Sequence, residues 1–79
     1  MLKLKIVSPE KIVFQGDVES VLVPGILGSF EILNDHAPII SSLEIGKVEY
    51  TTKEGKQVMN IQGGFVECKK NEVSLCVEV

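Results

Sequence analysis

Arginine and tryptophan are both missing from this chain, and histidine occurs once, as His36. Eight lysines are scattered among eleven acidic residues, for a net charge of −3, so no basic stripe exists to grip a phosphate backbone. That excludes nucleic acid as a partner class. The three phenylalanines and one tyrosine are not interleaved with cations. Long apolar runs are also missing. None exceeds three residues, as in Val21–Val23, whereas a membrane-spanning helix needs about 20. The start, Met-Leu-Lys-Leu-Lys-Ile, alternates and has no apolar signal core, so it does not read as a secretory leader. With no targeting segment the reading is a cytoplasmic one, and a seat beside a membrane stays open.

Cysteine is scarce too: Cys68 and Cys76 are the only two. Placed on two strands of a hairpin turning at Lys70-Asn71, Cys68 faces Val73 and Cys76 faces Phe65. The thiols then lie on opposite sheet faces, which rules out a disulfide between them. Two cysteines and a single histidine also give no zinc set and no other metal site.

What remains is ordinary globular material: 79 residues, 44% apolar and 24% charged, enough for one small domain. A chain of this size buries only about 60–65% of its unfolded surface. Leu2, Leu4 and Ile6 alternate with Lys3 and Lys5, the pattern of a half-buried strand. Lys11 to Gln15 reads as a second strand with Ile12 and Phe14 on one face, ended by a turn at Gly16-Asp17. Val18 to Val23 reads as a third. Ile39–Leu43 is apolar at its ends, and Ile45-Gly46 reads as a turn or bulge. Lys47–Thr52 and Lys56–Gln62 flank Glu54-Gly55, which predicts a hairpin pairing Tyr50 with Met59 and Val48 with Ile61. Gly63-Gly64 allows a corner before the last hairpin, in which Val73, Leu75, Val77 and Val79 point inward. No segment has a helical period, so the fold class is all-β, a sandwich or barrel, in a single domain over 1–79.

The stretch Val23–Pro38 holds two of the three prolines and the histidine. Pro24-Gly25 predicts a turn, and Gly28 a second flexible point. Phe30-Glu31-Ile32-Leu33 reads as a short strand with Phe30 and Ile32 on one face. Asn34-Asp35 predicts another turn, and Pro38 an extended exit. Ile26, Leu27 and Phe30 therefore lie near loop tips. They mark either a docking surface or a loop folded back onto the core.

Catalytic equipment is wanting. His36 has Asp35 beside it and Ser41 nearby, but adjacent residues in a turn do not orient one another as a hydrolytic triad requires, and no nucleophile elbow is present. His36 is left as a turn residue or an interface contact. Gly25-Ile-Leu-Gly28-Ser29 lacks the lysine and spacing of a phosphate loop. The residues by themselves give a small β domain with a docking loop, without catalytic or cofactor-binding residues.

Several words in fixed order carry a resemblance. They are Val7-Ser8-Pro9-Glu10, then Phe14-x-Gly16-x-Val18-x-Ser20-Val21-x-Val23-Pro24-Gly25, then Gly28-x-Phe30-x-Ile32-Leu33-x-x-His36-Ala37-Pro38. Leu43-x-x-Gly46-x-Val48 and Gly63-Gly64-Phe65-Val66-Glu67 follow. Together they span nearly the whole chain. The chain resembles the N-terminal domain of the epsilon subunit family of the F-type ATP synthase (delta in mitochondria). The chain departs from that pattern at three places. Asn34-Asp35 stands where the family often has Pro-Gly, Glu31 where it usually has Gly, and Ser29 where an acid is common. Many bacterial relatives also continue into two C-terminal helices, whereas this sequence stops at Val79.

The resemblance implies a flattened β-sandwich of about ten short strands. It implies a non-catalytic rotor part of the central stalk, needing no cofactor. This part docks on the gamma subunit and the ring of proteolipid c subunits to couple proton translocation to rotary ATP synthesis. Carried over by position, Ser8, His36 and Ser41 face gamma, and Ser29, Phe30 and Glu31 face the c ring, with Ile26 and Leu27 as an apolar docking loop. It implies a peripheral seat on the cytoplasmic face of a bacterial inner membrane, and a short form without the inhibitory helices. The alternative is a free-standing β-sandwich module that binds a peptide or small ligand.

Overall fold

The structure, a computed structural model, describes residues 1–79. It consists of nine strands and no helix. They are β1 (Leu2–Val7), β2 (Ile12–Val18), β3 (Ser20–Gly25), β4 (Gly28–Leu33) and β5 (Ile39–Leu43), followed by β6 (Gly46–Thr52), β7 (Gly55–Ile61), β8 (Gly63–Lys69) and β9 (Glu72–Glu78). One continuous sheet runs β2-β1-β9-β8-β5-β3-β6-β7, with β4 on the side of β3. All ladders are antiparallel except β1 with β9. The sheet curls on itself into two layers, β2-β1-β9-β8-β5 and β4-β3-β6-β7, within 26 × 24 × 18 Å.

The chain changes layer four times, once through the longer segment between β4 and β5 and otherwise at three short bends: Glu19, Glu44-Ile45 and Gln62. At each, a backbone hydrogen bond ties the bend to a neighbour. Glu19 N–H donates to the Thr51 carbonyl, Glu44 N–H to Pro24 and Gln62 N–H to Glu78. Between the layers, alternate residues of each strand close one core. Leu2, Leu4, Ile6, Val18, Val21, Val23, Ile32, Val48, Ile61, Val66, Val73 and Leu75 are all nearly or wholly removed from water. No polar or charged side chain is buried among them. The Phe14 and Tyr50 rings meet 4.6 Å apart where β2 approaches β6, and both pack against this core.

Most expected strands are present, nine rather than about ten, and the differences from expectation lie at corners. Gly16 and Asp17 do not turn: they sit inside β2, opposite Leu4 and Lys3. The glycine there makes room for the Phe14 ring, which lies over it. Pro24-Gly25 belongs to β3, and the reversal comes two residues later, at Ile26-Leu27. Val18–Val23 is not one strand, because Glu19 carries the chain from one layer to the other. Ile12 and Phe14 do not share a face. The ladder slips between Ile6 and Val7, so that Ile6 faces Phe14 while Val7 faces Ile12. This bulge skips Val13 and turns Ile12 outward. Gly63 and Gly64 open β8, and the bend itself is at Gln62. Val79 lies beyond β9 and is exposed rather than inward.

In the β6–β7 hairpin Tyr50 pairs with Gln57, Val48 with Met59 and Gly46 with Ile61, two residues from the expected register. The turn residues are Lys53-Glu54, and the positive φ, +116°, falls after them on Gly55. Thr52 sets this corner: its hydroxyl accepts from Glu54 N–H at 3.1 Å and lies 3.3 Å from the Gly55 carbonyl. A slip of two keeps every side chain on its expected face, so Val48 and Ile61 are still buried. The β8–β9 hairpin has the expected register, Cys68 opposite Val73 and Phe65 opposite Cys76. Lys70 and Asn71 both have positive φ, as a two-residue turn of the twisted type needs. The thiols are free: Cys68 is in the core and Cys76 on the outer face.

Candidate functional site

The β3–β4 hairpin ends in two apolar residues. Ile26 is 59% exposed and Leu27 fully exposed. The tip is nonetheless well held. Gly25 pairs with Gly28, whose φ of +127° completes the reversal, and Ile26 N–H donates to the Ser42 carbonyl at 3.0 Å. Below the tip, β4 alternates. Ser29 and Glu31 face out, Phe30 packs half-buried against the core and Ile32 is fully buried. Ser29, Glu31, Ile26 and Leu27 thus form one end of a rigid β-ribbon, with the Phe30 ring as its inner wall. No cation lies within 4 Å of the Glu31 carboxylate, since the only ion pair in the molecule is Lys56–Glu49 at 3.5 Å.

Ser8, His36 and Ser41 are not gathered in one spot. β1 ends at Val7 beside Cys76, so Ser8 is at the same end of the sheet as Gly64. There its hydroxyl accepts from Lys11 N–H and caps the β1–β2 turn. His36 follows the β4–β5 turn at the opposite end, by Asn71. Asp35 N–H donates to Asn71 Oδ1 at 2.6 Å, and Asn71 Nδ2 donates back to Asp35 Oδ1 at 3.1 Å. The His36 N–H bonds to the Leu33 carbonyl, and its Nδ1 lies 2.7 Å from the Ala37 carbonyl. A carbonyl only accepts, so Nδ1 carries a proton and Nε2 is left for a partner. Ser41 is midway along β5, opposite Val66, with its hydroxyl on the Ser42 carbonyl. The three mark positions along the molecule rather than a constellation, and nothing pairs His36 with Asp35 or Ser41 as catalysis would require.

A further row went unread in the sequence. On the outer face of the first layer, Ile12, Val7, Cys76 and Phe65 stand side by side across β2, β1, β9 and β8. Ile12 and Phe65 are exposed, and Val7 and Cys76 half-buried. The pairing of Cys76 with Phe65 was available from the last hairpin. The bulge that brings Ile12 outward, and the parallel pairing of β1 with β9, were not.

Comparison with known proteins completes the picture. Residues 1–79 match the family described as the ATP synthase Delta/Epsilon chain, beta-sandwich domain. The chain belongs to this family. It is 44% identical over 77 residues to the ATP synthase epsilon chain of Leptospira interrogans, covering 98% of this chain and 61% of the relative. It is 40% identical to that of Chlorobium limicola, covering 96% of this chain and 88% of the relative. The chain thus spans about three-fifths of the Leptospira protein and most of the Chlorobium one. Among solved structures, its fold matches a chain of the Euglena gracilis mitochondrial ATP synthase with a TM-score of 0.89 at 19% identity, covering 96% of this chain and 49% of that one. A chain of the Tetrahymena thermophila central stalk and c-ring assembly matches with a TM-score of 0.83 at 16% identity, covering 99% of this chain and 63% of that one. These likenesses establish the β-sandwich. Membership agrees with a non-catalytic chain of the synthase.

Proposed function

We propose that this chain is a central-stalk rotor subunit of an F-type ATP synthase, docked on gamma and on the c ring. It transmits the rotation driven by proton translocation to the catalytic part of the complex, from a peripheral seat on the cytoplasmic face of the membrane. The observation that carries the reading is the β3–β4 hairpin. A fully exposed leucine and an adjacent exposed isoleucine on a pinned turn are costly in water and are explained by a partner. Ser29, Phe30 and Glu31 continue that surface toward the c ring, where the unpaired Glu31 suits a polar or basic loop. His36, with Nε2 left for a partner, and Ser8 and Ser41 along the sheet, are assigned to gamma. The direct test mixes the purified chain with the gamma subunit of the same organism and looks for a complex by gel filtration. A stoichiometric complex supports the reading. A chain that stays monomeric beside gamma, yet binds an unrelated peptide or small molecule, favours the free-standing module.

A further inference from the structure

We infer that Asn71 is a positioning residue for the partner contact assigned to His36: its carboxamide latches the strap that carries His36 and so fixes where that ring is presented. The inference rests on the rotor reading and adds a residue that the carried-over positions do not include.

The strap is residues 34–38, which cross from β4 in one layer to β5 in the other. None of them is buried, and only His36 is half-buried. A segment that removes so little apolar surface from water is held by its polar bonds or not at all. Most of those bonds are local. Asn34 Nδ2 donates to Asp35 Oδ2 at 3.3 Å, His36 N–H donates to the Leu33 carbonyl, and His36 Nδ1 lies on the Ala37 carbonyl. The only hydrogen bonds from the strap to a distant part of the chain are the two between Asp35 and Asn71. No lysine competes for the Asp35 carboxylate, since the one ion pair is Lys56–Glu49.

Asn71 is the firm side of the latch. It is half-buried in the tight β8–β9 turn, closed by the pairing of Lys69 with Glu72. Its carbonyl accepts from Lys3 N–H at 2.8 Å, which ties the turn to β1 as well. A carboxamide carries an acceptor and a donor side by side. Here Oδ1 accepts from Asp35 N–H at 2.6 Å, and Nδ2 donates to Asp35 Oδ1 at 3.1 Å. The orientation of the amide is forced, because an N–H only donates and a carboxylate only accepts. Aspartate at this position would keep the acceptor but set one carboxylate against another. The grip also holds Asp35 at φ +65°, a conformation that glycine takes freely and aspartate takes at a cost. With Asp35 fixed, the next peptide is aimed at Leu33 and the His36 ring at the Ala37 carbonyl, leaving Nε2 for a partner.

The test uses the intact chain, the gamma subunit as probe, and an exchange of the two side chains. Asn71→Asp opens the latch. Asp35→Asn with Asn71→Asp closes it again, with the amide now on the strap and the carboxylate in the turn, at the same net charge of −3 as the unaltered chain. Asn71→Gly opens the latch without adding charge and tolerates the positive φ of the turn. Each variant is checked for cooperative unfolding. In the free chain, Asn71→Asp speeds hydrogen exchange of the His36 amide at least about tenfold, and the exchanged pair restores it. Gamma binding weakens about tenfold in Asn71→Asp and in Asn71→Gly, and returns to within about twofold in the exchanged pair. In a His36→Ala background, Asn71→Gly costs no further affinity, because the latch acts through that ring. If both Asn71 variants bind gamma like the unaltered chain, the latch is refuted and the rotor reading stands. The same holds if Asn71→Gly weakens binding equally with and without His36, or if a folded exchanged pair does not recover binding. Should the exchanged pair fail to fold, the Asn71→Gly comparison with and without His36 decides alone. If the unaltered chain fails to bind gamma, both readings are refuted.

Discussion

Cys68 shows how one residue links burial to pH. Its side chain lies in the core opposite Val73, and burial pushes its thiol above its ordinary value of 9.0. The unfolded chain then loses this proton first as pH rises. Between the unfolded and folded values the unfolded state binds fewer protons, so stability is complete below about pH 9 and falls above it. The urea midpoint of the unaltered chain should therefore drop more between about pH 8 and pH 10 than that of Cys68→Val, which has nothing to titrate at this position. Equal slopes would remove the effect. The His36 ring, by contrast with this core thiol, is only partly buried and makes a single hydrogen bond, to the neighbouring Ala37 carbonyl. His36→Ala should unfold with nearly unchanged cooperativity, within about 0.5 kcal/mol, and bind gamma more weakly. Unchanged binding, or lost cooperative unfolding, would count against an interface role.

At the level of elements, three hairpins show what local sequence does and does not specify. Lys70-Asn71 was legible because both residues adopt positive φ and the flanking strands alternate without interruption. Glu54-Gly55 misled by two residues. The Thr52 hydroxyl captures Glu54 N–H, and the glycine takes up the twist after the turn rather than within it. Pro24-Gly25 misled in the same way, with Gly28 completing the reversal after Ile26-Leu27. In both, the hydrophobic faces survived because the error was an even number of residues. The Asp35–Asn71 clamp was not legible at all, since it joins turns 36 residues apart. Asn71→Gly keeps a residue that tolerates the left-handed turn while deleting the clamp. It should cost about 1 kcal/mol in denaturant unfolding, and no loss would show the clamp to be incidental. The β3–β4 tip gives the sharper test. Leu27→Asp touches no core residue, so thermal stability should be unchanged while assembly of the chain with the c ring fails. Normal assembly would remove the hairpin from the interface.

For the whole molecule, the all-β class and nearly all the inward residues were readable from alternation alone, because a small sandwich has one core and every strand serves it. The layer change at Glu19 was not, since it carries no strong turn residue and exists only because the sheet must bend to close on itself, a demand set by the opposite layer. The one at Gln62 fell one residue before the corner read at Gly63-Gly64. The exposed apolar residues divide likewise. Ile26 and Leu27 stood out as apolar residues beside turn signals, whereas the Ile12–Phe65 row is assembled from four strands by a bulge and a parallel ladder. The central claim is that this chain mechanically joins the membrane rotor to the stalk. The most direct measurement depletes the chain from membrane vesicles holding its synthase, adds it back and follows ATP-driven proton pumping. The account predicts that pumping is restored in proportion to chain bound, by the unaltered chain and not by Leu27→Asp. Pumping that is independent of the chain, in vesicles verified to lack it, would contradict the account.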